Sequence, residues 1–162
     1  MQLYKFSKSD DSSILAYDLF KLLGMSAVDQ KEKDEYMELL EKLVLEYYLQ
    51  EKVGRSLKPK QLEDLMEKYP PTNTKNVEAL LEEIGEALPN AEDLFVDANR
   101  EVKARVVKEQ YEAKRLKYMR LMKEARNVDQ MKDYQSRISN CTKTLQNIDE
   151  EKWNLVGEYV TT

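Results

Sequence analysis

The sequence contains no histidine. The side chain that most often serves as general base, as metal ligand and as a switch near neutral pH is therefore missing, and the expectation of catalysis falls with it. A single cysteine, Cys141, cannot close an intramolecular disulfide, so a secreted disulfide framework is excluded and a reducing compartment is expected. Four glycines and four prolines in 162 residues are too few for the turns of a sheet-rich fold. The glycines are scattered, and no G-x-x-x-x-G-K-[ST], G-x-G-x-x-G or G-x-S-x-G occurs, so no phosphate-cradling loop or nucleophile elbow can be built from them. No window approaches the eighteen or so consecutive apolar residues of a membrane-spanning helix. The opening "MQLYKFSKSDDSSILAYDLFKLLG" holds no continuous apolar run of signal-peptide type. A cytoplasmic location without a membrane partner is the expectation. The formal charge of −5 gives no global attraction to nucleic acid or anionic lipid.

What the chain does have is helical patterning, with 41% apolar and 35% charged residues. Asp11 or Ser12 is placed to cap a helix through "SILAYDLFKLL", and Gly24 to stop it in the left-handed conformation. Asp29 is a cap for "QKEKDEYMELLEKLVLEYYLQEKV", which should run to Gly54 with Tyr36, Leu39, Leu40, Leu43, Val44, Leu45 and Tyr47 in a broad inward stripe. Pro59 suits the first turn of "KPKQLEDLMEKY", whose Leu62, Leu65 and Met66 face inward and which ends at Pro70-Pro71. Asn76 can cap "VEALLEEIGEAL", and Pro89-Asn90 breaks the chain again. Residues 1–90 thus read as a four-helix unit.

From residue 91 there is no proline, and Gly157 is the only glycine. One stripe runs Ala104, Val107, Tyr111, Tyr118, Leu121, Met122 and Ala125; another runs Met131, Tyr134, Ile138, Cys141, Leu145 and Ile148. Consecutive steps of three from Val128 to Tyr134 put the two out of phase, so the chain either stammers there or turns. The turn is preferred: Asn127 tolerates a left-handed stop and Asp129 can cap a second helix. Two arms of similar length would bury both stripes against each other, whereas one continuous helix would expose them. The predicted fold is all-α, an N-terminal four-helix unit (1–90) followed by a long antiparallel helical hairpin with an apolar C-terminal segment (91–162), with one continuous long helix as the alternative.

The order of elements, a leucine-rich helix ending in "LLGM", then "EKDEYMELLEKLVLEYYLQEKV", "LKPKQLEDLMEKY" and "VEALLEEIGEALPNAEDLF", resembles a small all-helical domain of unknown function found in candidate-phylum, reduced-genome bacteria. The likeness covers roughly residues 14–107 and rests on Leu23-Gly24, on Leu57 before a capped helix and on Leu88-Pro89-Asn90. The chain departs from that domain at Lys58-Pro59, where a capping Ser with acidic residues is usual. The resemblance implies a cytosolic bacterial helical protein and no site residues.

Three groups of residues are candidates for function. Between Arg100 and Arg126 ten Lys or Arg face four Glu, a local charge of +6 interleaved with Tyr111 and Tyr118. Arg115, Arg120, Lys123 and Arg126 are the candidate nucleic-acid face, by phosphate contact with aromatic stacking. Helical spacing weighs against it, because both tyrosines share the inward stripe with Val107 and Met122. The second group, Trp153, Leu155, Val156 and Tyr159 with Met119, is the candidate partner-binding set, since an apolar terminal segment docks back on the chain or on a partner. Glutamates recur along two helices, but metal-binding bundles usually add Glu-x-x-His units, so no metal or other cofactor is expected. Cys141 occurs at core spacing, and Met25, Met37, Met66, Met119, Met122 and Met131 at or near it. The function expected is that of a non-enzymatic helical interaction protein, an adaptor, assembly subunit or small regulatory factor that binds another protein or a larger assembly. An RNA- or ribosome-associated protein using the basic helix is one alternative; a self-associating structural protein, a homodimer for instance, is another.

Overall fold

A computed structural model of the chain describes residues 13–157. A 3-10 turn (Ile14–Ala16) precedes α1 (Leu19–Leu22) and α2 (Gln30–Tyr47), which runs on as a π-helix (Tyr48–Val53) and a last turn, α3 (Gly54–Ser56). After these come α4 (Pro59–Lys68), α5 (Thr74–Ala87), α6 (Ala91–Lys123), α7 (Val128–Asp149) and a 3-10 turn (Trp153–Leu155). The fold is all-α, with no strand among the described residues. The long helices α6 and α7 pack closely as a hairpin, so the continuous-helix alternative is overturned. No helix among the described residues is long and apolar enough to cross a membrane.

Several local expectations need correction. The first helix is broken: Tyr17 is extended (ψ 142), and Asp18 starts a helix of only four residues by accepting a hydrogen bond from Lys21 N at 2.9 Å. Asp11 and Ser12 lie outside the described residues; Ser13 caps the 3-10 turn instead. Gly54 does not stop its helix, because its φ of −60 is ordinary helical backbone. Asn73, rather than Asn76, caps α5 by accepting from Asn76 N at 2.9 Å. Asn127 is extended (φ −148) and begins α7, accepting from Gln130 N at 2.8 Å, so it is a cap and not a left-handed stop. Gly24 (φ 68), Asp29 as a cap to Glu32 N and Pro59 in the first turn of α4 are as expected.

Packing divides the chain into two units, the first Glu35–Val102 and the second residues 13–34 with 103–157. In the first, Tyr48, Leu49, Val53, Leu57, Leu80 and Ile84 form a buried cluster, and Leu62, Leu65 and Met66 of α4 pack against it. The Tyr48 ring meets Phe95 edge-on at 5.0 Å while its hydroxyl donates to Ala91 O at 3.3 Å. The inward stripe of α2 is narrower than expected, for Leu39 is 60% exposed and Leu43 43%.

In the second unit Leu22 and Leu23 are buried, as are Val107, Tyr111 and Tyr118 of α6 and Cys141, Leu145 and Ile148 of α7. Three side chains of α6 reach backbone carbonyls around α1: Lys103 Nζ donates to Tyr17 O, Tyr111 OH to Leu22 O at 2.6 Å, and Lys114 Nζ to Leu23 O at 3.3 Å. A helix of four residues leaves its terminal carbonyls without partners of its own, and donors from a neighbour supply them. The terminal segment packs back, with Trp153 and Val156 buried and Gly157 in the left-handed region (φ 95). A Cβ on Gly157 would stand 2.7 Å from the Lys21 carbonyl oxygen. Gly157→Ala should therefore cost about 1–3 kcal/mol in urea unfolding, from left-handed strain and the clash with backbone. Gly85→Ala, which meets nothing within 4 Å on a helix, should be neutral or stabilising by up to about 1 kcal/mol.

Lys103 and the two buried tyrosines should contribute opposite pH dependences to stability. Burial pushes the Lys103 ammonium down to about 8, with Asp18 partly opposing. Between about pH 8 and 10 the unfolded chain keeps a proton there that the folded chain has released, so stability rises with pH. Burial pushes the Tyr48 and Tyr111 hydroxyls up to about 12. Above about pH 10 the unfolded tyrosines lose protons that the folded ones keep, and stability falls. Lys103→Met should flatten the rise and leave the fall, read as urea midpoints across pH 7–11.

Candidate partner-binding surface

The far end of the hairpin is built by caps and rings. Beyond Lys123 the last amides of α6 bond three residues back, Glu124 N to Leu121 O and Ala125 N to Met122 O, which tightens the turn. Arg126 N then donates to the Gln130 side chain at 3.0 Å while Gln130 N donates to the Asn127 side chain, two bonds that tie the first turn of α7 to the residues before it. Tyr118 and Tyr134, one from each arm, stack with centroids 6.4 Å apart and ring planes at 27°. Arg137 covers the Tyr118 ring at 5.5 Å and pairs with Asp133 at 3.0 Å. Nearer the base, Lys108 pairs across the arms with Asp149 at 2.8 Å.

Eight of the ten bases in the stretch fall into two sets. Lys103, Lys108 and Lys114 are committed to the bonds just described, and Arg100 pairs with Asp97 at 2.9 Å. Arg115, Arg120, Lys123 and Arg126 form no ion pair and no side-chain hydrogen bond among the described residues; Arg115 is half-buried and the other three are exposed. Tyr111 and Tyr118 are buried, so neither ring offers a face to a base.

The terminal apolar residues are placed differently from a surface anchor. Trp153 and Val156 are buried, Leu155 is half-buried, and Tyr159 lies outside the described residues. Burial of the indole in this unit leaves it no area to present. Met119, by contrast, is 41% exposed. Three more apolar side chains near it in the sequence are exposed: Leu116 (61%), Val128 (62%) and Met131 (43%), the last expected in the inward stripe of α7. At 100° per residue Leu116, Met119, Arg120 and Lys123 share the face of α6 opposite Tyr118. That spacing is the signal the sequence carries for Leu116. The stronger inward stripes mask it.

The first unit holds a groove of about 410 Å³ lined by Leu45, Leu49, Leu62, Met66 and Pro71 with Lys42, Glu46 and Gln50, its backbone wall including Gly54. A smaller hollow of about 290 Å³ shares Lys42, Leu45 and Pro71 and adds Glu38 and Glu41. Burial, and then the neighbouring Glu38, push the Glu41 carboxyl up. The π-helix lies at this groove: the Gly54 N–H bonds to Leu49 O, five residues back, and a Cβ on Gly54 would stand 3.1 Å from that oxygen. Such wide turns recur at functional sites, and no hydrophobic period announces them. Among the described residues no three His, Cys, Asp or Glu are grouped to hold a metal ion.

A scan against family models and searches of curated proteins and of solved structures found no match to this chain.

Asn127→Ala removes the cap of α7, the acceptor of the bond from Gln130 N. It should destabilise the protein by about 1 kcal/mol in thermal unfolding, with hydrogen exchange rising first in residues 128–131.

Proposed function

We propose that the protein is a non-enzymatic helical interaction protein of the cytoplasm, an adaptor or assembly subunit, that binds another macromolecule through the end of its hairpin. One observation carries this reading. Of the six large apolar side chains most exposed among the described residues, four (Leu116, Met119, Val128 and Met131) lie near the end of α6 and at the start of α7. Single exposed apolar residues are ordinary, but several close in sequence on either side of the turn of a hairpin have the character of an interface. Two are methionines, whose flexible thioethers adapt to a partner's surface. The unpaired Arg120 and Lys123 on the same face favour a partner with acidic character and speed its approach.

Nucleic acid is the second reading, on the same unpaired cations. The burial of Tyr111 and Tyr118 speaks against the stacking half of it and leaves phosphate contacts, which are blind to sequence and fall steeply with salt. Capture of partners from the native lysate, with and without nuclease, separates the two. A protein partner should survive nuclease and be lost from Leu116→Asp/Met119→Asp. The melting curve of that variant should stay within about 0.5 kcal/mol of the parent, as for surface changes. Partners that vanish with nuclease, or that the double variant retains, would overturn the reading.

A further inference from the structure

Two exposed apolar residues remain outside the hairpin, Leu39 and Leu43, one turn apart on α2. Lys42 and Glu46, three residues beyond each, line the apolar groove, so these leucines stand one helical step from its lining. Around them Glu38, Glu41 and Glu46 outnumber Lys42. The hairpin end is the reverse: residues 113–137 carry eight Lys or Arg against three Asp or Glu. The same partition extends to the units. Residues 35–102 hold sixteen acids and eight bases, whereas residues 13–34 with 103–157 hold sixteen bases and twelve acids. Charge of one sign therefore predominates around each set of exposed apolar residues, and the two signs are opposite.

We propose that the partner of the hairpin end is a second copy of this chain, whose acid-framed groove between α2 and α4 receives Leu116 and Met119. This rests on the reading of the hairpin end as a docking surface. The spacing of Leu116 and Met119 presents two side chains on one helical face, the form in which a helix enters an apolar groove. A groove of about 410 Å³ is at the small end of binding clefts, and the contact is correspondingly weak. Opposite charge around both patches makes it tighten as salt is removed. The contact joins two different surfaces, so each copy carries one of each kind.

Sedimentation equilibrium of the full chain tests this. Association should be about tenfold or more tighter at about 50 mM than at about 500 mM salt, since screening acts on exposed charges. Arg120→Glu/Lys123→Glu and Glu38→Lys/Glu46→Lys alter only exposed side chains, so the helical circular dichroism should be unchanged. The neutral Arg120→Gln/Lys123→Gln and Glu38→Gln/Glu46→Gln pairs serve if a reversal unfolds. Each reversed variant alone should lose about tenfold in association, and an equimolar mixture should regain it, because each reversed surface then meets a complementary one. A parent that stays monomeric at low salt, or a mixture no better than its parts, overturns the second copy. If lysate partners still depend on Leu116 and Met119 in that event, the docking surface stands with a different occupant. Self-association that survives Leu116→Asp/Met119→Asp overturns both.

Discussion

The second unit depends on donors that reach α1 from another helix. Four residues cannot stabilise a helix alone, since nucleation costs more than one turn returns. The carbonyls at its end would face an apolar core, because Leu22 and Leu23 are almost fully buried. Tyr111 supplies a hydroxyl donor at 2.6 Å and Lys114 an ammonium at 3.3 Å, both from α6. An unsatisfied buried carbonyl costs roughly 1–3 kcal/mol, so these bonds decide whether α1 exists as a helix. Gly157 closes against the Lys21 carbonyl of the same short helix. The cation of Lys114 also suits the negative end of a helix and lies 5.2 Å from the Tyr111 ring centre, so one ammonium serves two contacts.

That arrangement explains why a +6 stretch is ambiguous as a sequence. Charge and spacing are read from composition, but whether a lysine is spent inside the fold depends on which carbonyl lies across from it. Lys103 is the sharpest case: helical spacing alone puts it on a solvated flank with Lys114 and Lys117, yet it is buried and bonded to Tyr17 O. The broken first helix creates that acceptor, and no hydrophobic period records a backbone carbonyl turned sideways. Lys108 pairs with an aspartate 41 residues away, also invisible locally. Once these lysines and Arg100 are set aside six bases remain, Arg105, Arg115, Lys117, Arg120, Lys123 and Arg126, of which the sequence singles out four as a candidate face.

Legibility tracks the range of the cause. The all-α class, the hairpin and the inward tyrosines come from period 3.6 and from a phase break, all local in the chain. Gly24 and Pro59 are readable because their conformations are dictated by one residue. Asn73, Asn76 and Asn127 show the limit: the residue type announces a helix boundary, and its role is set by a shift of three positions or by a change in φ. The π-helix at Tyr48–Val53 is not readable, since one inserted residue in a long apolar pattern costs no hydrophobicity and only rotates the phase. Trp153 is legible as anchoring something; that it anchors its own unit comes only from its burial.

Burial of the aromatic residues and exposure of the aliphatic ones bear on function together. A nucleic-acid surface gains its sequence-tolerant affinity by stacking, and here the rings of α6 are turned into the hairpin with Arg137 laid over one of them. The side chains left facing outward are leucine, valine and methionine, which have no planar face to offer a base but lose unfavourable water contact against another apolar surface. A cation beside a methionine discriminates among such surfaces by the sign of their rim, adding specificity more than affinity. The chain itself carries a groove with the opposite rim. Apolar contact would then hold the complex, and the opposite rims would choose the partner and tighten the contact at low salt.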